Sequence, residues 1–383
     1  MVLTYQHLES LTDERGLFEH AEYDQPRIEH GYCVDDVARA LTLLMRDKDT
    51  VTFRSRGGHL VGTRRGPSVG TRGGQSLIDV YIKFLRDSQT DDGLFINRCD
   101  VNGLWTGLPE AADHWGRALW ALGTMYKESP DRDLANEALE RFELGARHRS
   151  RNIRSMMFAG LGAAEVLSVA RNNRTARKML RDAALTVASR IPSSISYENL
   201  NPTYNANNPI PPKRSQTQSQ MKEWLWPEDR LTYANAVIPE VLLLAGNLLT
   251  DQRLTDYGLA LLTWLIETET QHGHLSVTPT SGYGPGEERN TYDQQPIEVA
   301  ALIDACSTAF EITGNDLWLN QLARGYLWFE GYNDGNVRMF DPETGAGFDG
   351  ITANGRNENR GAESTISYLS ATHRFQQHFP RSM

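Results

Sequence analysis

Apolar residues recur at three- and four-residue spacing through eleven stretches of the chain: 34–46, 76–88, 114–128, 131–146, 152–171, 173–190, 231–249, 252–270, 295–313, 315–331 and 361–377. That period marks helices with a buried face, and alternating, strand-like patterns are weak. Many segments come in pairs separated by short turns at Ser129-Pro130-Asp131, Asn172-Asn173, Thr250-Asp251 and Gly314-Asn315. Asp, Asn or Thr at such a place can cap the next helix by accepting a backbone N–H. The connections between pairs are long and rich in Gly, Asn, Asp, Trp and Pro, at 12–33, 90–112, 196–228, 271–293 and 333–360. Long loops in a compact chain are usually functional. Short turns at one end and long loops at the other predict helical hairpins with one elaborated face. With one further short helix the count reaches six hairpins. The expected fold is therefore all-α, a closed (α/α)6 toroid occupying 1–383 as a single domain, with an open helical solenoid as the structural alternative. Residues 52–74, rich in Gly and Arg and poor in apolar side chains, read as a flexible insertion within the first hairpin.

Within this pattern one motif is written twice. Asp35-Asp36-Val37-Ala38-Arg39-Ala40-Leu41 and Asp113-His114-Trp115-Gly116-Arg117-Ala118-Leu119 lie 78 residues apart, each downstream of a Gly-Leu-Phe triplet. Self-similarity over a long period signals a repeated supersecondary unit. Asp followed by Arg at i+4 predicts a same-face ion pair aligned with the helix dipole, and the small residue between them permits close helix packing. Asp35, Arg39, Asp113 and Arg117 are thus explicable as architecture. The position that differs, Asp36 against His114, is the better place to look for chemistry. A partly buried tandem of carboxylates also raises proton affinity, which suits a proton donor.

Other expected helix starts carry carboxylates too: Glu298 after Gln295-Pro296, and Glu363 after Asn359-Arg360-Gly361. A single acidic residue in a first turn is ordinary, because it offsets the dipole. Several of them converging on one cavity suit glycoside cleavage, in which one carboxyl donates a proton and another attacks carbon or activates water. The catalytic candidates are Asp36, Asp113, Glu298 and Glu363. Aromatic and polar residues in the long loops and helix starts supply candidate sugar contacts: His30, Tyr32, Asp35, Arg39, His114, Trp115, Arg117, Trp226, Gln295, Asp349, Asn359 and Arg360. Trp120, Trp264, Trp318 and Trp328 fall at interior helical spacing and read as core.

Composition narrows the field. Lys and Arg number 39 against 49 Asp and Glu, a net charge of −10, which argues against nucleic acid or an anionic membrane as partner. The three cysteines are widely spaced, with no zinc-binding pattern; neither metal nor cofactor is expected. With no signal-peptide signature and no apolar run long enough to span a bilayer, a reducing, cytoplasmic setting is expected.

The segments HGYCVDDVARAL (30–41), DHWGRALWALG (113–123), TYDQQPIEVAALIDA (291–305) and GAGFDGITANGRNENRGAESTISYL (345–369) resemble a bacterial family of six-hairpin, glycosidase-like proteins. Its members occur alone or attached to glycosyltransferases. The resemblance covers most of the chain. It implies an (α/α)6 toroid, a carbohydrate substrate and a glycosyltransferase as partner. Relatives carry Glu where this chain has Ala112. The leading expectation is an enzyme that cleaves a glycosidic bond by hydrolysis, or by phosphorolysis with a cation such as Arg360 nearby. A sugar 2-epimerase or aldose–ketose isomerase, using His30, His114 or His274 as base, is the second. A non-catalytic carbohydrate-binding toroid is the third.

Overall fold

The computed structural model describes residues 3–47, 76–191 and 224–380, and the backbone of 53–54 and 60–61. The insertion at 52–74, apart from those two paired dipeptides, and most of the 196–228 connection lie outside the described residues.

Twelve α-helices are present among the described residues. In chain order they are α1 (Gln6–Ser10), α2 (Val34–Arg46), α3 (Leu77–Ser88), α4 (Asp113–Glu128), α5 (Arg132–Gly145), α6 (Ile153–Val169), α7 (Arg174–Ala188), α8 (Val237–Leu249), α9 (Gln252–Thr268), α10 (Pro296–Thr313), α11 (Asp316–Phe329) and α12 (Ala362–His378). The helices α2, α4, α6, α8, α10 and α12 each pack on the next, and α12 returns to α2. They form a closed inner ring, which excludes the open solenoid. Five outer helices, α3, α5, α7, α9 and α11, each lie against the inner helix before them, and the short α1 lies against α12. The sixth hairpin is therefore completed by the two ends of the chain.

The turns behave largely as their residues dictate. Asp131 accepts from the N–H groups of Asp133 and Leu134, Asn173 from Ala176, and Asn315 from Leu317, each worth about 1 kcal/mol. Asp251 makes no such bond; there the preceding Thr250 turns the chain in the left-handed conformation. Inner helices are buried nearly all round, as in α6, where every residue from Ile153 to Ala164 is buried. Glycine permits the tightest contact of the ring. A Cβ on Gly162 would lie 2.3 Å from the Leu119 carbonyl oxygen, and one on Gly116 would lie 2.3 Å from that of Ser155. The small residue of the second motif copy thus serves the close approach of α4 and α6.

The long connections are not structureless. Tyr32–Cys33 pairs with Arg98–Cys99, which pairs with Trp105–Thr106. Gly350–Thr352 pairs with Gly355–Asn357, and the backbone of Gln294 exchanges two hydrogen bonds with Ile351. Ladders of two or three residues are too short to leave an alternating pattern, yet they tie loops of different hairpins into one rim.

Candidate functional site

The first turns of the inner helices open into a cavity of about 660 Å³ on the long-loop side. Its walls carry seven carboxyl groups, Glu19, Asp35, Asp36, Asp113, Asp293, Asp349 and Glu363, against the two guanidinium groups of Arg39 and Arg117. These two arginines also line a smaller cavity of about 70 Å³ deeper along the ring axis, so they form the floor between the two.

The floor is cross-linked around the ring. Arg39 does not pair with Asp35, as the i+4 spacing predicts. Its Nη1 contacts Asp36 Oδ1 and Glu363 Oε2, both at 2.7 Å. Arg117 likewise turns from Asp113 to Asp35 of the other copy, with Nε 3.2 Å from Oδ1, and its plane lies 3.8 Å over the Phe158 ring. Asp35 also accepts from Asn97 Nδ2 at 3.2 Å. Neither Asp35 nor Asp113 caps its helix. Asp113 instead accepts the hydroxyls of Ser155 (2.7 Å) and Tyr233 (2.6 Å).

Asp36 is 3% exposed, receives the Cys33 thiol at 3.3 Å, and sits at the cavity wall. Burial pushes its carboxyl up to about 7, opposed by the charge of Arg39 and reinforced by Glu363, Glu19 and Asp35. Such a group still holds a proton near neutral pH. Cys33, Glu19 and Asp36 bring ligand-capable atoms within 4.8 Å of one another. However, burial holds the thiol well above its usual range, and Glu19 and Asp36 are paired with Arg98 and Arg39. This donor set is a poor thiolate cage.

Gln295 and Asp349 also line the cavity; Asp349 accepts the Gly361 N–H at 2.7 Å, and burial raises its carboxyl. Other expected contacts fall elsewhere. His114 is buried and bonded through Nε2 to the Phe95 carbonyl oxygen. Trp115 is fully buried and donates to the Gly145 carbonyl oxygen. Tyr32 stacks on Phe18 and donates to Asp13. Trp226 stacks on Trp264 beneath the loop and donates to Glu228. These aromatics tie loops and the start of α4 to the core and are not among the cavity-lining residues. Arg360 stacks over Phe348, and Asn359 bonds the backbone of Tyr23; both lie outside the central cavity. His30 sits behind the rim, with Nδ1 3.0 Å from Nδ1 of His20, which does line the cavity. His274 is paired with Asp334 at 3.0 Å.

Glu298 also departs from its expected place at the cavity. It is buried, and its oxygens accept from the backbone of Ala234 (2.5 Å) and from the backbone and side chain of Asn235 (3.2 and 3.3 Å). Burial pushes its carboxyl up to about 8 against the pull of these donors. Together with Arg154, which donates to the carbonyl oxygen of Tyr233 and to the side chain of Asn235, it fixes the segment that brings Tyr233 onto Asp113. The sequence singled out neither Glu19, His20 nor Arg154. Glu19 and His20 are placed by a loop folding back over the cavity, and Arg154, in the first turn of α6, takes its partners from the loop at 232–235.

No family profile matches the chain, and no curated protein matches it in sequence. Solved structures do match in shape. A sugar epimerase from a ruminal bacterium has a TM-score of 0.63 at 12% identity, covering 98% of this chain and 96% of that one. Cellobiose 2-epimerase from Bacillus thermoamylovorans has a TM-score of 0.64 at 10% identity, covering 97% and 96%. The GH76 α-mannanase from Bacteroides thetaiotaomicron has a TM-score of 0.57 at 10% identity, covering 97% and 94%. At these identities the likeness defines the fold class, the (α/α)6 toroid of these enzymes.

Proposed function

We propose that this chain is a carbohydrate-active enzyme that hydrolyses a glycosidic bond, with Asp36 as the proton donor and Glu363 as the facing carboxylate. One observation carries the reading: the buried Asp36 shares a single Arg39 nitrogen with Glu363, 2.7 Å from each, and burial raises its carboxyl. The two contacts bring Asp36 Oδ1 and Glu363 Oε2 close together, in keeping with the roughly 5–5.5 Å between the carboxyl groups of retaining glycosidases. In the first step the Asp36 carboxyl gives its proton to the glycosidic oxygen as the C–O bond breaks, and a Glu363 oxygen bonds to the anomeric carbon. In the second step water attacks that carbon as the Glu363–carbon bond breaks, which frees the carboxylate, and Asp36 takes up the water's proton. Asp113, held by two hydroxyls, and Asp35 with Arg117 are suited to bind sugar hydroxyls on either side.

A panel of neutral oligosaccharides, assayed for free sugar and for the first anomer formed, tests this. Release with retained configuration, lost by about 10²–10⁴-fold in Asp36→Asn, is expected. Unchanged activity and affinity in both Asp36→Asn and Glu363→Gln would return the chain to a non-catalytic binding toroid. Phosphorolysis, the variant of this reading, would rely on Arg39 or Arg117, which line the cavity where Arg360 does not, and a rate that depends on added phosphate would select it.

One observation favours a second reading, a sugar 2-epimerase or isomerase. His20 lines the cavity and is backed by His30, an arrangement suited to removing the proton beside a carbonyl. Interconversion of monosaccharides with solvent deuterium entering C2, and no free sugar released from oligosaccharides, would select it.

A further inference from the structure

Beside the central cavity lies a second pocket of about 330 Å³, lined by Glu22, Tyr23, Arg27, Asn357, Glu358 and Asn359; Asn357 lines both. The volume is within the range of small-molecule sites, about 300–1,000 Å³. The residues around it are polar, and Tyr23, the one aromatic residue among them, is 62% exposed.

Tyr23 is there against local preference. Ala21 pairs with Pro26 and Glu22 with Gln25, so Tyr23 and Asp24 form a two-residue hairpin loop. Tyr23 occupies the first loop position at φ 54. Glycine is preferred at such a position, and a bulky residue with positive φ is an outlier. The conformation is held from outside the hairpin: the Tyr23 N–H donates to Asn359 Oδ1 at 2.9 Å, and its carbonyl oxygen accepts from the Arg360 N–H at 2.9 Å. The ring is buried in no core that would account for the choice of residue. Backbone strain held by distant contacts, with an aromatic left bare beside a polar pocket, is the pattern of a preorganised binding element.

We propose that this pocket is an additional sugar subsite, in which the Tyr23 ring stacks on the C–H face of a unit extending past those held in the central cavity. Arg27, Asn357 and Asn359 supply hydrogen bonds to its hydroxyls. The ligand class is a neutral oligosaccharide longer than a disaccharide. This rests on the carbohydrate reading of the central cavity.

The test is calorimetric titration of full-length Asp36→Asn protein, used to prevent turnover, with cello-, manno- and malto-oligosaccharides from disaccharide to pentasaccharide. Alongside, Tyr23→Ala and Tyr23→Phe are introduced into the same background. For at least one series, affinity rises about 3- to 10-fold on extension beyond the disaccharide. Tyr23→Ala removes that gain and leaves disaccharide affinity unchanged, and Tyr23→Phe retains it. A flat length series, no binding by any member, or an equal loss at every length in Tyr23→Ala would overturn the subsite. Disaccharide cleavage by otherwise wild-type protein reports separately on the central cavity. Tyr23-dependent binding without cleavage leaves the subsite standing and removes the hydrolase reading. Cleavage with a flat length series does the reverse.

Discussion

Replacing Asp36 by asparagine should inactivate the protein and make it relatively more stable as pH rises. The carboxyl is almost fully buried, and burial pushes it from the ordinary aspartate range, 3.8, to about 7. The folded state therefore binds this proton more tightly than the unfolded state. By linkage the stabilisation is complete below the unfolded value and is lost as pH rises through the folded one. Across the whole shift that amounts to about 4 kcal/mol, and between about pH 5 and pH 8 to about 2–3 kcal/mol. The substituted carboxamide has nothing to titrate. The difference in unfolding free energy, variant minus wild type, should thus climb by that amount over the same window.

The slope is the diagnostic quantity. The Asp36→Asn substitution also weakens the contact to Arg39 and the bond from Cys33, but Arg39 keeps Glu363 at 2.7 Å, and these losses shift the curve by a constant. Other raised carboxyls, such as Glu298 and Glu240, are common to both proteins and cancel. Urea unfolding of both proteins at pH steps across the window supplies the curve. The rate profile gives an independent reading: if Asp36 is the acid, wild-type kcat/KM falls above about pH 7. A pH-independent difference would refute the claim that Asp36 retains its proton near neutrality, and the assignment of the acid with it.

Further outcomes follow from the same contacts. Glu298→Ala leaves the Ala234 and Asn235 N–H groups without an acceptor and should cost about 2–4 kcal/mol by urea unfolding. Glu298→Gln should keep activity within about tenfold, because the group positions a loop; a loss beyond a hundredfold with stability intact would make it catalytic instead. Tyr233→Phe removes the hydroxyl that donates to Asp113; with little change in stability, kcat/KM should fall about tenfold. Burial holds the Tyr233 phenol up to about 12, so this effect should be independent of pH across the working range. Gly162→Ala drives a methyl against the Leu119 carbonyl and should cost about 1–3 kcal/mol or more, seen as a lowered Tm; an unchanged Tm would mean that α4 and α6 separate at little cost.

The ring was legible in the sequence because its evidence is local. Three-four periodicity, capping residues such as Asp131 and Asn315, and the alternation of short and long connections are all properties of neighbouring residues. Among the described α-helices only α1, a helix of five residues that closes the sixth hairpin, is too short to leave a period. The site was legible in part. First-turn places put Asp36, Asp113 and Glu363 on the cavity side, and all three line it, but the same place left Glu298 turned away. Which partner each takes was not legible, because spacing along a helix ranks only partners on that helix. Arg39 has Asp35 at i+4, yet it finds Asp36 and, across the ring, Glu363. Loop aromatics posed the same problem. Trp115 and Trp226 carry both an apolar surface and an N–H; core packing met the first need, and the Gly145 carbonyl and the half-buried Glu228 carboxylate met the second. A sugar would meet them too, and sequence alone does not separate the cases.

The first turns of the inner helices divide the work in a way that the repeat half discloses. In α2, α4 and α12 the first turn presents Asp36, Asp113 and Glu363 to the cavity. In α6 and α10 it presents Arg154 and Glu298, both turned away to grip Tyr233, Ala234 and Asn235 ahead of α8. That segment includes Ala234 at φ 45, a conformation an alanine avoids unless its surroundings enforce it. The enforcement delivers the Tyr233 hydroxyl to Asp113 at 2.6 Å. Glu298 thus reaches the cavity only through Tyr233. If so, Glu298→Ala and Tyr233→Phe should be non-additive in kcat/KM, the double variant scarcely worse than the poorer single one, while their effects on stability add. Full additivity in both would separate the loop lock from the site.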